Sequence, residues 1–486
     1  MRSKCLAIGI ILLFVGVTIA PAIAQDTGKS QSVSRGNWLY VGGSGPGNYT
    51  RIQDAIDDAS DGDTIFVYDD SAPYNENLLI NKTIHLIGEK KESTVINGDS
   101  KVNVIRIFAV DVRITGFSIL MTGNEEGNAG IFVNSNNSLI SENIILNNDW
   151  GIIVYDASFS TISQNIFMNN DHGLYLSTTK NIITENQFFN DGMYITTSGN
   201  IVENNTVNNK PLLCMENKDN TIIDDEYGQI LLINCSAITV KNQNITKTDT
   251  GILLCGCYNC SIIQNNISNS RGGILLMRSN YNTISYNDLY QNDNYGISLS
   301  GSDYNLLEHN ICTEQLLGKY LHHGIYLAAS HNNTIRYSYL QNNHIGISCD
   351  YSNDNLIFEN TIEYNTYVGV ILETSCKGNC IQGNIIRGND RGIVLKEAQD
   401  NEILQNDFYD NRIDMIIETI QYYTFRLRHL PHISENFWGR ARIFPCLIRG
   451  TLIFVINDFP WNSIILKWVY VDWQPAQEPY NITRMP

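Results

Sequence analysis

From about residue 130 onward one phrase recurs: Gly, an aliphatic residue, any residue, a second aliphatic residue, and an Asn some ten residues later. It starts at Gly130, Gly151, Gly173, Gly192, Gly251, Gly273, Gly296, Gly324, Gly346, Gly369 and Gly392, mostly 19 to 23 residues apart. Between Gly192 and Gly251 the phrase degrades, although Pro211-Leu212-Leu213 and Gln229-Ile230-Leu231-Leu232 keep the spacing. Within a unit, Ile152 and Val154 alternate onto one face as a strand requires. Thr161-Ile162-Ser163 and Asn165-Ile166-Phe167 supply two more short strands. Three strands in about 22 residues leave no room for a helix, and that period marks a solenoid. Leucine-rich repeats are excluded, because their x-x-L-x-L spacing and helical half are missing. The pattern predicts an all-β, single-stranded right-handed parallel β-helix of about a dozen coils, stacked at about 4.8 Å.

Asn143, Asn165, Asn186, Asn265, Asn287, Asn310, Asn360 and Asn406 fall 13 or 14 residues after a coil's Gly. They are expected to form a structural ladder at one corner, using the left-handed backbone that Asn tolerates and amides bonded along the axis. A second file, Asn147, Asn169, Asn190, Asn269, Asn292, Asn342, Asn365, Asn389 and Asn411, marks the next corner. A solenoid must also close its ends. The stripe Ile52, Ala55, Ile56 and Ala59 predicts a short N-terminal cap helix, ended by Asp61-Gly62-Asp63. The Trp-rich tail after Asn411 predicts a β-rich C-terminal cap. The expected organisation is a signal peptide (1–24), N-terminal cap and first coils (36–98), repeats (99–414) and C-terminal cap (415–486).

Arg2 and Lys4, an apolar run to Ala20, Pro21 and Ala22-Ile23-Ala24 before Gln25 form an export signal. Left uncleaved, it would be the sole membrane attachment. Composition narrows the picture further. Charged residues are 17% of 486, below the usual ~25%, and Asn fills the gap at about one residue in eight. The formal net charge of −18 offers no cationic surface for nucleic acid. Ten cysteines remain once Cys5 leaves with the signal, and Cys255, Cys257 and Cys260 lack the paired spacing of a zinc site. They are expected as buried core residues or disulfides.

The phrase Ile52-Gln53-x-Ala55-Ile56, with Asp61-Gly62-Asp63-Thr64-Ile65, Tyr74-x-Glu76 and Leu86-Ile87-Gly88, resembles the opening of pectin-lyase-fold proteins. The Gly-Ile/Asn coils resemble the repeats of the NosD family, named after a periplasmic copper-associated protein. Asn436-Phe437-Trp438-Gly439 and Asp472-Trp473-x-Pro475 resemble endings of secreted, archaeal-type members. The resemblance spans about residues 36–480 and implies the fold. It does not imply one activity, since the same β-helix hosts lyases, hydrolases, esterases, epimerases and non-enzymes. Of the polygalacturonase motifs only Asp224-Asp225 is present, and the methylesterase and epimerase motifs are missing.

Two constellations carry candidate chemistry. Asp149, Asp171 and Asp191 precede the Gly of consecutive coils, and Asp293 and Asp390 do so further on, with Trp150, His172, Tyr295 and Arg391 beside them. Carboxylates stacked one coil apart repel unless a cation lies between, so this file is read as an aromatic-lined glycan face that could take Ca²⁺. His322 and His344 stand two residues before the Gly of adjacent coils and form a candidate pair for Cu²⁺ or Zn²⁺. The reading is an exported, non-catalytic β-helix at the cell surface whose lateral face binds or displays polysaccharide. The alternatives are a carbohydrate-active enzyme using the Asp file and a copper-associated accessory protein of the NosD kind.

Overall fold

Side-chain alternation decides what each coil buries. In Trp150–Val154, Ile152 and Val154 turn inward while Ile153 turns out, and Ile140 lies in register between Ile114 and Ile162 of the neighbouring coils. The computed structural model describes residues 36–99, 102–122, 127–315, 322–422, 430–439, 446–455 and 463–480; the expected signal peptide lies outside them. These residues form a right-handed parallel β-helix with one short helix. Among them no helix is long and apolar enough to cross a membrane.

The coils form two stacks. In the first, an eight-stranded sheet runs from Trp38–Val41 to Ile201–Glu203 and a six-stranded sheet from Leu78–Ile80 to Met193–Ile195. A third column begins at Val95–Asp99 and ends at Thr206–Val207. There the parallel rule breaks. Val207 pairs antiparallel with Lys210 across Asn208 and Asn209, both at positive φ (50° and 65°), as a tight hairpin requires. The second stack starts from this hairpin, with sheets of ten and nine strands ending at His432–Ser434 and Phe437–Trp438. Its third column starts at Lys210–Glu216, and the outward residues Leu231, Leu253 and Leu275 of the next three strands join the core of the first stack. Gln229 seals the open edge there, accepting from Met193 N (2.9 Å) and donating to Met193 O (2.9 Å). The degraded part of the repeat is thus a junction rather than a continuation. The sheets also hold more strands than a dozen coils supply, because the earliest coils lack the Gly phrase.

The corners work differently from expectation. The eight first-file asparagines form a buried ladder, but the left-handed residue is the one before each of them, as at Glu142, Gln164, Glu185 and Tyr286. Freed of that role, Asn165 donates N to Asn186 Oδ1 (3.0 Å) and Nδ2 to Ile140 O (2.9 Å), tying three coils together. In the second file, Asn147, Asn169, Asn190, Asn269 and Asn342 are the left-handed residues. The ladder there is carried by their successors Asn148, Asn170 and Asn343, with Asn292, Asn365, Asn389 and Asn411. A third ladder, Asn282 to Asn401, lines a corner for which no file was expected.

The cap helix is Ile52–Asp58, burying Ile52, Ala55 and Ile56. Its first amides, Ile52 N and Gln53 N, donate to the Glu76 carboxylate (2.8 and 3.1 Å), which neutralises helix-start donors that Arg51 cannot cap. At the other end the coils continue to Trp438, past residue 414. Cys446–Val455 then adds parallel to Ile413–Tyr422, and Ser463–Asp472 pairs antiparallel on it. Nine of the described cysteines, Cys446 apart, are free thiols, seven of them buried. Cys376 takes a ladder position, accepting from Ser352 N (3.4 Å).

Candidate functional site

The junction opens a cleft of about 720 Å³. One wall comes from the first stack: Asp149, Trp150 and His172. The facing wall comes from the second: Arg271, Asn294, Tyr295, Ser298, His323 and Tyr326. Trp150 and His172 are paired on adjacent strands, so their rings stack with centroids 3.8 Å apart and 16° between planes. Tyr175 meets Trp150 edge-on at 5.4 Å. Opposite, His323 lies flat on Tyr326 at 4.7 Å, and Tyr295 Oη sits 3.3 Å from Thr250 Oγ1. Gly272, beside Tyr295 in the sheet, has to lack a side chain, because a Cβ there would come within 2.5 Å of the tyrosine ring.

Charge in the cleft is arranged in pairs. Asp249, 3% exposed, accepts Gly173 N across the junction (3.2 Å) and faces His172 Nδ1 at 3.8 Å. Arg271 Nη1 donates to Asp171 O (3.3 Å) and stands 4.0 Å from that residue's carboxylate. Asp149 accepts the Gly127 amide. Burial, with smaller contributions from His322 and His344, holds His323 down at about 4, hence neutral. Burial pushes the Tyr295 hydroxyl up to about 12 and also raises Asp293. The site therefore offers aromatic faces, a neutral imidazole at His323 and, among the described residues, one guanidinium.

The acid file does not form as a file. Asp149 and Asp171 lie at the junction, but Asp191 takes the inward ladder position of the preceding coil's Asn170, fully buried and accepting that residue's Nδ2 at 2.9 Å. Asp191 directly follows the left-handed Asn190, the place that Asn170 holds after Asn169, whereas Asp149 and Asp171 come one residue later. Asp293 and Tyr295 reach the same region from the second stack, so six of the nine expected residues gather there, of which only Trp150 and His172 stack on one another. Asp390 and Arg391 do not: they lie four coils from Tyr295, Asp390 bound to Arg412 and Arg391 over the Tyr367 ring at 4.7 Å. His322 and His344 are edge-on with centroids 6.5 Å apart. The His322 ring bonds Asp293 O, while His344 Nδ1 bonds Thr366 Oγ1 (3.2 Å) and its ring stacks on Tyr367. Among the described residues no three His, Cys, Asp or Glu side chains converge on a metal position.

Arg271, Asp249, Asn294, Ser298 and Tyr326 are the contributors that the sequence reading missed. A signal existed for two of them: Ser298 and Tyr326 share one register, on the strand pair that also aligns Tyr295 with His323.

A family model described as periplasmic copper-binding protein (NosD) matches residues 56–224, 209–367 and 319–442. No curated protein matches the chain. Among solved structures, the A-module of Azotobacter vinelandii mannuronan C-5 epimerase AlgE6 is 12% identical with a TM-score of 0.29, covering 80% of this chain and 94% of that one. The periplasmic alginate epimerase AlgG is 12% identical at 0.31, covering 74% and 83%. A hyperthermoactive exopolygalacturonase from Thermotoga maritima is 10% identical at 0.33, covering 69% and 87%. Similarities this low carry no argument about chemistry.

Proposed function

The chain belongs to the NosD family of parallel β-helix proteins, and from that premise we propose that it is an exported glycan-binding protein whose ligand lies in the junction cleft. The observation that supports this is the pair of facing aromatic walls, Trp150 on His172 and Tyr326 on His323, with Tyr295 between. Flat rings with a few placed polar groups fit sugar rings, whose apolar faces stack while their hydroxyls hydrogen-bond. Export rests on the basic, apolar, Ala-x-Ala start of the chain. The family description speaks of copper, but the residues do not fit it. The nearest His pair is edge-on, each ring already bonded, and no third ligand joins it among the described residues.

The test is a glycan array followed by titration calorimetry on the full chain and on Trp150→Ala. Binding should weaken at least tenfold in the variant, with an unchanged unfolding midpoint. Retention of full affinity would move the ligand elsewhere. A second reading, acid–base catalysis on the bound glycan, is favoured by one observation: His172 Nδ1 lies 3.8 Å from the buried Asp249 carboxylate, too far for a hydrogen bond but close enough to pair with the ring once it is protonated. Products released by the native chain and not by His172→Gln would establish it, and the absence of products from any bound glycan would dismiss it.

A further inference from the structure

Buried polar atoms nearly always find partners, so those that do not point to something missing. Among the described residues, eleven buried side-chain nitrogens and oxygens have no hydrogen-bond partner. Three of these, His172 Nδ1, Arg271 Nε and His323 Nδ1, belong to residues lining the junction cleft. Each imidazole nitrogen donates or accepts according to its tautomer, but Arg271 Nε can only donate, so the cleft lacks at least that acceptor.

Arg271 sharpens this. Among the described residues it is the only Arg or Lys lining the cleft, and its side chain is 22% exposed. A guanidinium carries five N–H donors in a planar fork. Here one of them is used, on the Asp171 carbonyl, and the nearest carboxylate is loose at 4.0 Å. Of the nearby acids, Asp149 holds the Gly127 amide and Asp249 the Gly173 amide, while Asp293 shares the field of Arg271. A half-buried fork with unspent donors matches a carboxylate in two-point contact. The flanking imidazoles add nitrogens that donate or accept according to tautomer, and the Trp150 and Tyr326 faces would hold the sugar ring to which that carboxylate is attached.

Building on the glycan reading above, we propose that the cleft selects acidic glycans, chains containing uronic-acid sugars, by seating one carboxylate on Arg271. The net charge of −18 repels a polyanion at long range. Selection must therefore come from this short-range contact, and it should survive physiological salt, where the Debye length is about 8 Å.

The test compares oligomers of polygalacturonate, alginate and hyaluronan with the same oligomers after reduction of their carboxyl groups to alcohols. Calorimetry uses the full chain, Arg271→Gln and Arg271→Lys at 150 mM salt. At least one acidic oligomer should bind tenfold or more tightly than its reduced form. Arg271→Gln should bring the acidic form down to the affinity of the reduced one, while Arg271→Lys keeps part of the preference. Matching circular dichroism and unfolding midpoints exclude misfolding as the cause. Equal binding of acidic and reduced forms, or a preference that survives Arg271→Gln, overturns the proposal and leaves glycan binding standing. Binding of no glycan at all overturns both.

Discussion

Asp191 is where a carboxylic acid replaces an amide in a buried ladder, and its titration should be visible in the stability of the whole protein. It is fully buried and accepts Asn170 N at 3.1 Å and Asn170 Nδ2 at 2.9 Å. Burial first, then the negative charge of Asp249, pushes its pKa up to about 9, against about 3.9 when unfolded. The folded state thus holds a proton that the unfolded chain releases. The stabilisation is complete below about pH 4 and is lost as pH rises towards 9, at up to about 1.4 kcal/mol per unit. Between pH 4 and 7 the loss is about 2–4 kcal/mol. Asp191→Asn supplies the same acceptor, as Asn186 does for Asn165, and carries no charge to desolvate. Urea unfolding of both chains at pH 4, 5.5, 7 and 8.5 reads the difference. The two should coincide at pH 4, with the variant ahead by about 2–4 kcal/mol at pH 7. A gap that does not change with pH, or a variant weaker at pH 7, would refute the assignment of the proton to this carboxyl.

Asn287→Leu removes the acceptor of Asn265 N (3.0 Å) and the donor to Ile262 O (2.9 Å), leaving both groups buried. It should cost at least about 2 kcal/mol in urea unfolding; an unshifted midpoint would show that neighbouring coils absorb the loss. Thiol counting should find at most two groups reactive in the folded chain, Cys214 and Cys380, and ten after denaturation once Cys5 is removed with the signal. A lower count under denaturing, non-reducing conditions would mean that disulfides form. Gly272→Ala should drive Tyr295 from its place and weaken glycan affinity about tenfold. Unchanged affinity would remove Tyr295 from the binding surface.

The repeat was legible because its chief marker is a steric necessity. A Cβ on Gly151 would lie 2.4 Å from Gly173 O, and one on Gly273 would lie 2.3 Å from Gly296 O. Each coil therefore repeats the same Gly, and the period can be read without any structure. The corners were legible only to within one residue, since Asn serves both the left-handed turn, as Asn147 does, and the amide ladder, as Asn148 does. That double use also hid the junction: Asn208-Asn209 makes a hairpin in a chain where paired asparagines elsewhere make corners. The candidate site follows from the junction and inherits its invisibility. Trp150 and Arg271 face one cleft because one stack abuts the other, a contact that no period encodes. What the sequence did carry was each half separately, the Asp-Trp and Asp-His steps before Gly151 and Gly173 and the Asp-Asn-Tyr step before Gly296. Where a solenoid obeys its repeat, side chains are committed to ladders and core. Around the failed stretch at 192–251, His172, Arg271 and His323 keep unpartnered nitrogens and Asp191 is buried, the kind of local conflict that functional sites carry.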